Sequence, residues 1–302
     1  MKLLISLLLF LLYCSTVLAQ KGYYYDLKKA LEEPEQVVVL DLNNEHIKVL
    51  PPELAACINL KKLYLDGNQI TEFPNFLHKL KKLEVLVLGS NPLERFPKVV
   101  MRLKNLRSLS LTDSPIDRLP NSLVKLKKLE WINLWRTSFT EIPKVLFRMK
   151  SLKSITARGA KITYISPKIA KLKKLEKLTL ENNQIKEIPV EVSQLKALII
   201  IRLGENQIKT VPKELAALEN VKILELNDNQ LKALPDDFCL WIGKVELDLS
   251  NNQLSSLPKD CVLDRDLFQK LDIRNNNFTK EQIDEFKEYY RSYSRKGRLI
   301  VR

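Results

Sequence analysis

Trp131 and Trp135 sit in the stretch Trp131-Ile132-Asn133-Leu134-Trp135-Arg136. Both alternate with the apolar Ile132 and Leu134, so in an extended chain both indoles leave one face and the aliphatic side chains the other. The chemistry this suits is recognition, because Trp and Arg are over-represented at binding hot spots. The bland reading is that the two rings pack on each other and on neighbouring stems without a ligand. Groups for bond-breaking chemistry are sparse. The only histidines, His46 and His78, have no spacing that suggests a metal or a triad. There is no G-x-x-x-x-G-K phosphate loop, no G-x-S-x-G elbow and no C-x-x-C pair. These residues imply no enzyme, no metal and no cofactor.

The elements that must position the tryptophans repeat along the chain. In Leu175–Pro189, LEKLTLENNQIKEIP, Leu or Ile stands at 175, 178, 180, 185 and 188, with Asn183 among them and Pro189 last. The frame restarts at Val37, Leu60, Leu83, Leu106, Leu129, Leu152, Leu175, Leu198, Val221, Lys244 and Phe268: eleven copies spaced by 23, except for a last step of 24. A fixed period in this range signals a solenoid. The alternating Leu178-Thr179-Leu180 reads as a short strand, and one strand per turn stacks into a parallel sheet. The Asn amide can satisfy backbone groups that would otherwise be buried unpaired. The Pro suits the first turn of a short helix.

The pattern L-x-x-L-x-L-x-x-N-x-L-x-x-L-P, over about residues 37–280, resembles the leucine-rich-repeat family. The resemblance implies an α/β solenoid: a right-handed horseshoe with a concave parallel sheet, about eleven repeats and a cap at each end. Residues between the strand leucines then face the concave side. Trp131, Asn133, Trp135 and Arg158 become the centre of the candidate ligand surface, with Tyr64, Val85, Val87 and Arg202 around them. Glu225, Asp248 and Asp272 form an acidic column, with Glu246 adjacent, that either a basic patch on a partner relieves or Lys270 and Arg274 relieve internally. The ladder Asn gives way to Ser114, Thr137 and Ala160 in the middle three repeats. That change means either altered curvature beside the Trp strand or ordinary repeat decay.

Residues 1–19 read as a secretory signal peptide: Lys2, the apolar run Leu3–Leu12, then Val17-Leu18-Ala19, with cleavage near Ala19. Lipid attachment at Cys14 competes, but Tyr13 sits where a small residue is wanted. An export signal permits a disulfide between Cys239 and Cys261, in adjacent repeats, while Cys57 replaces a core Leu. Residues 20–36 are expected to cap the core, with Tyr24, Leu27, Ala30 and Leu31 on one helical face, and they resemble the opening segment of secreted bacterial relatives. Residues 37–279 form the solenoid. Residues 280–302 form a terminal cap helix and tail, opened by a Thr279/Gln282 capping box and closed by a possible strand from Arg298.

The chain carries +14, and Lys2 is the only charge within residues 1–19, so the remainder carries +13. Much of this lies at Lys79, Lys81, Arg102, Lys104, Lys125, Lys127, Arg148, Lys150, Lys171 and Lys173, which stacking would place along one edge. Such an edge favours anionic glycan or lipid, or is simply a solvated edge whose stems cover the core. No nucleic-acid motif accompanies it. The leading expectation is an exported, monomeric, bacterial module that binds a protein. The alternatives are an envelope protein held by its basic edge, or a scaffold with no ligand.

Overall fold

A computed structural model describes residues 21–236, 238, 245–258, 268–293 and 298–300. The expected leader, with Cys14 and Ala19, lies outside these residues, as do both cysteines of the expected Cys239–Cys261 disulfide.

The repeats stack as the frame requires. The described residues form one sheet of thirteen strands, all parallel and in chain order. They are β1 (Tyr23–Tyr24), β2 (Val39–Asp41), β3 (Lys62–Tyr64), β4 (Val85–Val87), β5 (Ser108–Ser110), β6 (Trp131–Asn133) and β7 (Ser154–Thr156). After them come β8 (Lys177–Thr179), β9 (Ile200–Arg202), β10 (Ile223–Glu225), β11 (Val245–Asp248), β12 (Phe268–Asp272) and β13 (Arg298–Ile300). From β2 to β10 each strand pairs with the residue 23 positions on, as in Leu109 with Ile132 and Ile132 with Ile155. The 24-residue step has a structural cause. Val245 pairs with Phe268 but Glu246 pairs with Lys270, a bulge that takes up the extra residue. The fold is thus the expected leucine-rich-repeat horseshoe.

Asn183 shows how a turn is tied to its neighbours. Its Nδ2 donates to the carbonyls of Ala157 at 2.8 Å and Leu180 at 2.9 Å, and its Oδ1 accepts from the N–H of Ile162 at 2.8 Å and Ala160 at 3.1 Å. Asn68, Asn91, Asn206, Asn229 and Asn252 repeat the arrangement. The residue before each ladder position has a left-handed backbone. Gly67 and Gly159 fill two of these sites, but Ser90, Asp113, Arg136, Asn182, Glu205, Asp228, Asn251 and Asn275 fill the rest. The backbone must turn sharply out of the sheet there, and where the next residue is a ladder Asn its bonds hold the turn even when a side chain is present.

The outer segments are 3₁₀ turns rather than α-helices, as at Pro52–Ala56, Asn75–Lys79 and Val190–Gln194. Each is at most five residues, too short for stable α-helix, and the tighter 3₁₀ form covers more length per residue. Between sheet and turns runs one core, from Val37, Leu40 and Leu42 at one end to Leu271 and Ile273 at the other.

At the amino end the structure departs from a continuous helical face. Tyr24 belongs to β1, where it packs on the core and donates to Glu33 Oε2 at 3.0 Å. The helix α1 (Leu27–Glu32) starts only after Asp26, whose side chain accepts from Lys29 N–H, and it buries Ala30. At the carboxyl end Thr279 and Gln282 bond reciprocally, at 2.8 and 3.2 Å, to open α2 (Lys280–Tyr293). Phe286 of α2 is buried and meets Phe278 edge-to-face at 5.5 Å. No helix among the described residues is long and apolar enough to cross a membrane.

Candidate functional site

Strand alternation and a constant register set the concave face. One column runs Tyr23, Val39, Lys62, Val85, Ser108, Trp131, Ser154, Lys177, Ile200 and Ile223. The parallel column runs Asp41, Tyr64, Val87, Ser110, Asn133, Thr156, Thr179, Arg202 and Glu225. Ile132 and Leu134 point the other way, at 1% and 0% exposure.

Trp131 is 42% exposed and Trp135 40%. In register with Trp131 stand only Ser108 and Ser154, too small to cover an indole. Lys153 Nζ lies 6.0 Å from the Trp131 ring centroid, at the outer limit of a cation–π contact. Among the described residues no ring contact joins the two indoles. Asn133 acts partly from within: its Oδ1 accepts from the backbone N–H of Trp135 at 3.0 Å and so fixes the turn that presents the second indole.

The surrounding residues separate into two halves. Toward the amino end Tyr64, Val85 and Val87 are half-buried on β3 and β4. The structure adds Tyr23 and Tyr25, whose rings lie 5.0 Å apart, with Tyr25 67% exposed. Burial raises the Tyr23 hydroxyl's pKa, and the nearby Tyr25, Tyr64 and Asp41 push it further. Sequence reasoning missed this tyrosine group. The available signal was the Tyr23-Tyr24-Tyr25 alternation just before the first repeat.

Toward the carboxyl end the charges pair with each other. Arg158, on the turn beside Trp135, bonds Glu205 at 3.2 Å, and Arg202 bonds Glu225 at 2.9 Å. The acidic column is relieved by Arg202 and by Arg274, which grips the buried Asp272 at 2.6 Å, while among the described residues no ion pair joins Lys270 to it. Glu181, half-buried, has its carboxyl raised by burial first and by Glu225 second, against the pull of Arg158 and Arg202. Trp131, Asn133, Trp135, Tyr64, Val85, Val87 and Arg158 thus share one continuous surface, while Arg202 stands three strands beyond β6, committed to Glu225.

The basic residues lie on a different face. Lys79, Arg102, Lys125, Arg148 and Lys171 end the outer turns, and Lys81, Lys104, Lys127, Lys150 and Lys173 follow them, all ten exposed. Among the described residues no cluster of His, Cys, Asp and Glu could hold a metal. Cys57 is buried, and burial pushes its thiol up to about 11, far from a reactive thiolate. The concave face can therefore stack, exclude water and hydrogen-bond.

Comparison with known proteins agrees with the geometry. The family model described as Leucine rich repeat matches residues 81–139 and 173–231. A two-copy leucine-rich-repeat model matches 58–100, and a single-copy one 245–262. No curated protein sequence matches. Among solved structures, the ectodomain of the plant membrane receptor kinase GASSHO1/SCHENGEN3 from Arabidopsis thaliana, in complex with Casparian strip integrity factor 2, is 28% identical with a TM-score of 0.62. The match covers 79% of this chain but only 30% of that ectodomain. An internalin from Listeria monocytogenes is 21% identical with a TM-score of 0.67, covering 90% of this chain and 82% of its own. The functional domain of a second Listeria internalin, InlJ, is 22% identical with a TM-score of 0.64, covering 82% and 51%. The repeat frame, the ladder asparagines, the single parallel sheet and these matches have one reading: the chain belongs to the leucine-rich-repeat family.

Proposed function

We propose that this chain is an exported, non-enzymatic binding module that grips a protein partner along its concave sheet, with Trp131 and Trp135 at the centre of contact. The observation that carries the reading is the joint exposure of two indoles four residues apart, Trp131 on β6 and Trp135 on the turn that leaves it, which the Asn133 side chain fixes. Large exposed aromatics on a preformed surface lose little ordering entropy on binding and supply much of the affinity. The tyrosines and valines on one flank and Arg158 on the other extend the same contact. Leucine-rich-repeat domains serve as protein-interaction scaffolds, and the plant ectodomain with this fold holds a partner in its solved complex. Export follows from the leader ending near Ala19, a bacterial origin from the resemblance of residues 22–36, and a monomer is the expected state.

The test is affinity capture from cell envelope and surroundings with the mature protein and the Trp131→Ala/Trp135→Ala variant side by side. The captured protein then goes into direct titration against each. The double variant should bind at least about thirtyfold more weakly, a loss of about 2 kcal/mol, with unchanged thermal unfolding. Undiminished affinity in the double variant would remove the concave site.

A further inference from the structure

We propose that the basic outer edge is a second, independent binding surface, built for a linear polyanionic polysaccharide. Its ten cations form two rows across five consecutive repeats, from Lys79 and Lys81 to Lys171 and Lys173. No acid interrupts either row. The rows are bounded: Ala56 and Ile58 occupy the two positions one repeat before, and beyond Lys171 and Lys173 only Lys196 extends the second row before Ala217 and Glu219. Lys104 donates to the Met101 carbonyl at 2.6 Å and Lys173 to Gln194 at 3.4 Å, but among the described residues none of the ten is in an ion pair.

A neighbouring position of the same repeats behaves differently. Immediately before each strand the chain alternates Lys61, Glu84, Arg107, Glu130, Lys153 and Glu176. These charges pair across turns, Arg107 with Glu130 at 3.0 Å and Lys153 with Glu176 at 3.9 Å. The scaffold therefore can cancel its charges from repeat to repeat, and along the outer rows it does not. Like charges on adjacent turns repel, so a bound anion would relieve a standing cost.

The shape selects the partner. Strands lie about 4.8 Å apart, so the rows are at least about 20 Å long yet narrow, with the exposed Lys82, Lys128 and Lys174 alongside the second row. That is a track for one chain of regularly spaced sulfates or carboxylates. Two open clefts lie at its amino end, of about 670 and 290 Å³, and both are lined by His78, Lys81 and Arg102. A membrane would call for a broad face with several apolar side chains to insert, and Ile58 alone is exposed in that cleft. Single-stranded nucleic acid would call for aromatic platforms beside the cations, and neither row contains one.

The test is titration of the full chain with a heparin decasaccharide across a salt series. One variant carries Lys81→Gln, Lys104→Gln and Lys127→Gln. A control of equal charge carries Lys186→Gln, Lys209→Gln and Lys232→Gln, exposed positions on the adjacent loops. The edge variant should lose about tenfold in affinity and show a shallower salt dependence, with the control near wild type. The Trp131→Ala/Trp135→Ala variant should bind the decasaccharide normally, which keeps this result separate from the concave reading. Equal losses in edge variant and control would overturn the proposal, as would no binding. Tighter, edge-dependent binding to phosphatidylserine vesicles or duplex DNA would overturn the choice of polysaccharide.

Discussion

Glu181 illustrates what a single side chain contributes on a crowded concave face. Its carboxyl is raised by burial and by the neighbouring Glu225, which outweigh the lowering pull of Arg158 and Arg202, themselves engaged by Glu205 and Glu225. A carboxyl raised in the folded state binds its proton more tightly there than in the unfolded chain. Its contribution to stability is thus full below the ordinary glutamate range, near about 4.3, and declines as pH climbs through the folded value. At neutral pH ionised Glu181 therefore works against the fold. Glu181→Gln should be more stable than wild type at neutral pH, and the difference should close on acidification through the carboxylate range. Denaturant melts of both proteins across that range provide the check; a constant gap would mean that Glu181 is not strained by its charge.

At the scale of the repeat, the ladder carries the architecture, and its gap locates a weak region. Ser114 offers only its Oγ to the Ile116 N–H, at 3.3 Å, and Thr137 donates only to the Leu134 carbonyl, at 2.7 Å. Ala160 contributes no side-chain bond of its own, although Asn183 of the next repeat still accepts from its N–H. Amides of repeats four to six should therefore exchange faster than those of repeats seven to nine. Ala160→Asn should slow that exchange and add about 1 kcal/mol, because the amide regains the carbonyls that Asn183 reaches one turn later. Even protection along the solenoid would show that the gap has no energetic consequence. The gap itself was legible in the sequence, as was the strand register, since a fixed period forces equivalent residues into line. Other elements were not. β1 is two residues long and has no flanking leucines, so Tyr24 read equally well as part of a helical face. The left-handed turn residues were hidden because most are not glycine, their conformation being set by bonds to the next turn, as from Asp113 N–H to the Trp135 carbonyl, rather than by their own chemistry. The Trp pair was visible in advance, whereas the commitment of Arg158 to Glu205 joins residues 47 apart that no local pattern links.

For the whole molecule the decisive feature is that a solenoid core has two open ends. Each internal turn is covered on both sides by its neighbours, but the first is covered on one side only, and stability depends on what closes the other. Here β1 extends the sheet past β2, Tyr24 packs on the core, and α1 lies against the first outer turn, which ends at Cys57. Cys57 is fully buried at this junction, and burial alone raises its thiol to about 11. That makes it a reporter on the end closure. Ala30 is the buried residue of α1, so Ala30→Glu places a charge where there is no water and should pry α1 away while leaving the leucine repeats stacked. Once hydrated, the thiol returns toward its ordinary value near about 8.5, and its thiolate fraction rises by a factor on the order of a hundred. Alkylation of Cys57, followed by mass spectrometry on its own peptide, should accelerate to that extent while the far-UV spectrum of the solenoid persists. If labelling stayed as slow as in wild type, the amino-terminal segment would not be what shields the first repeat, and the core would be closed there by its own leucines.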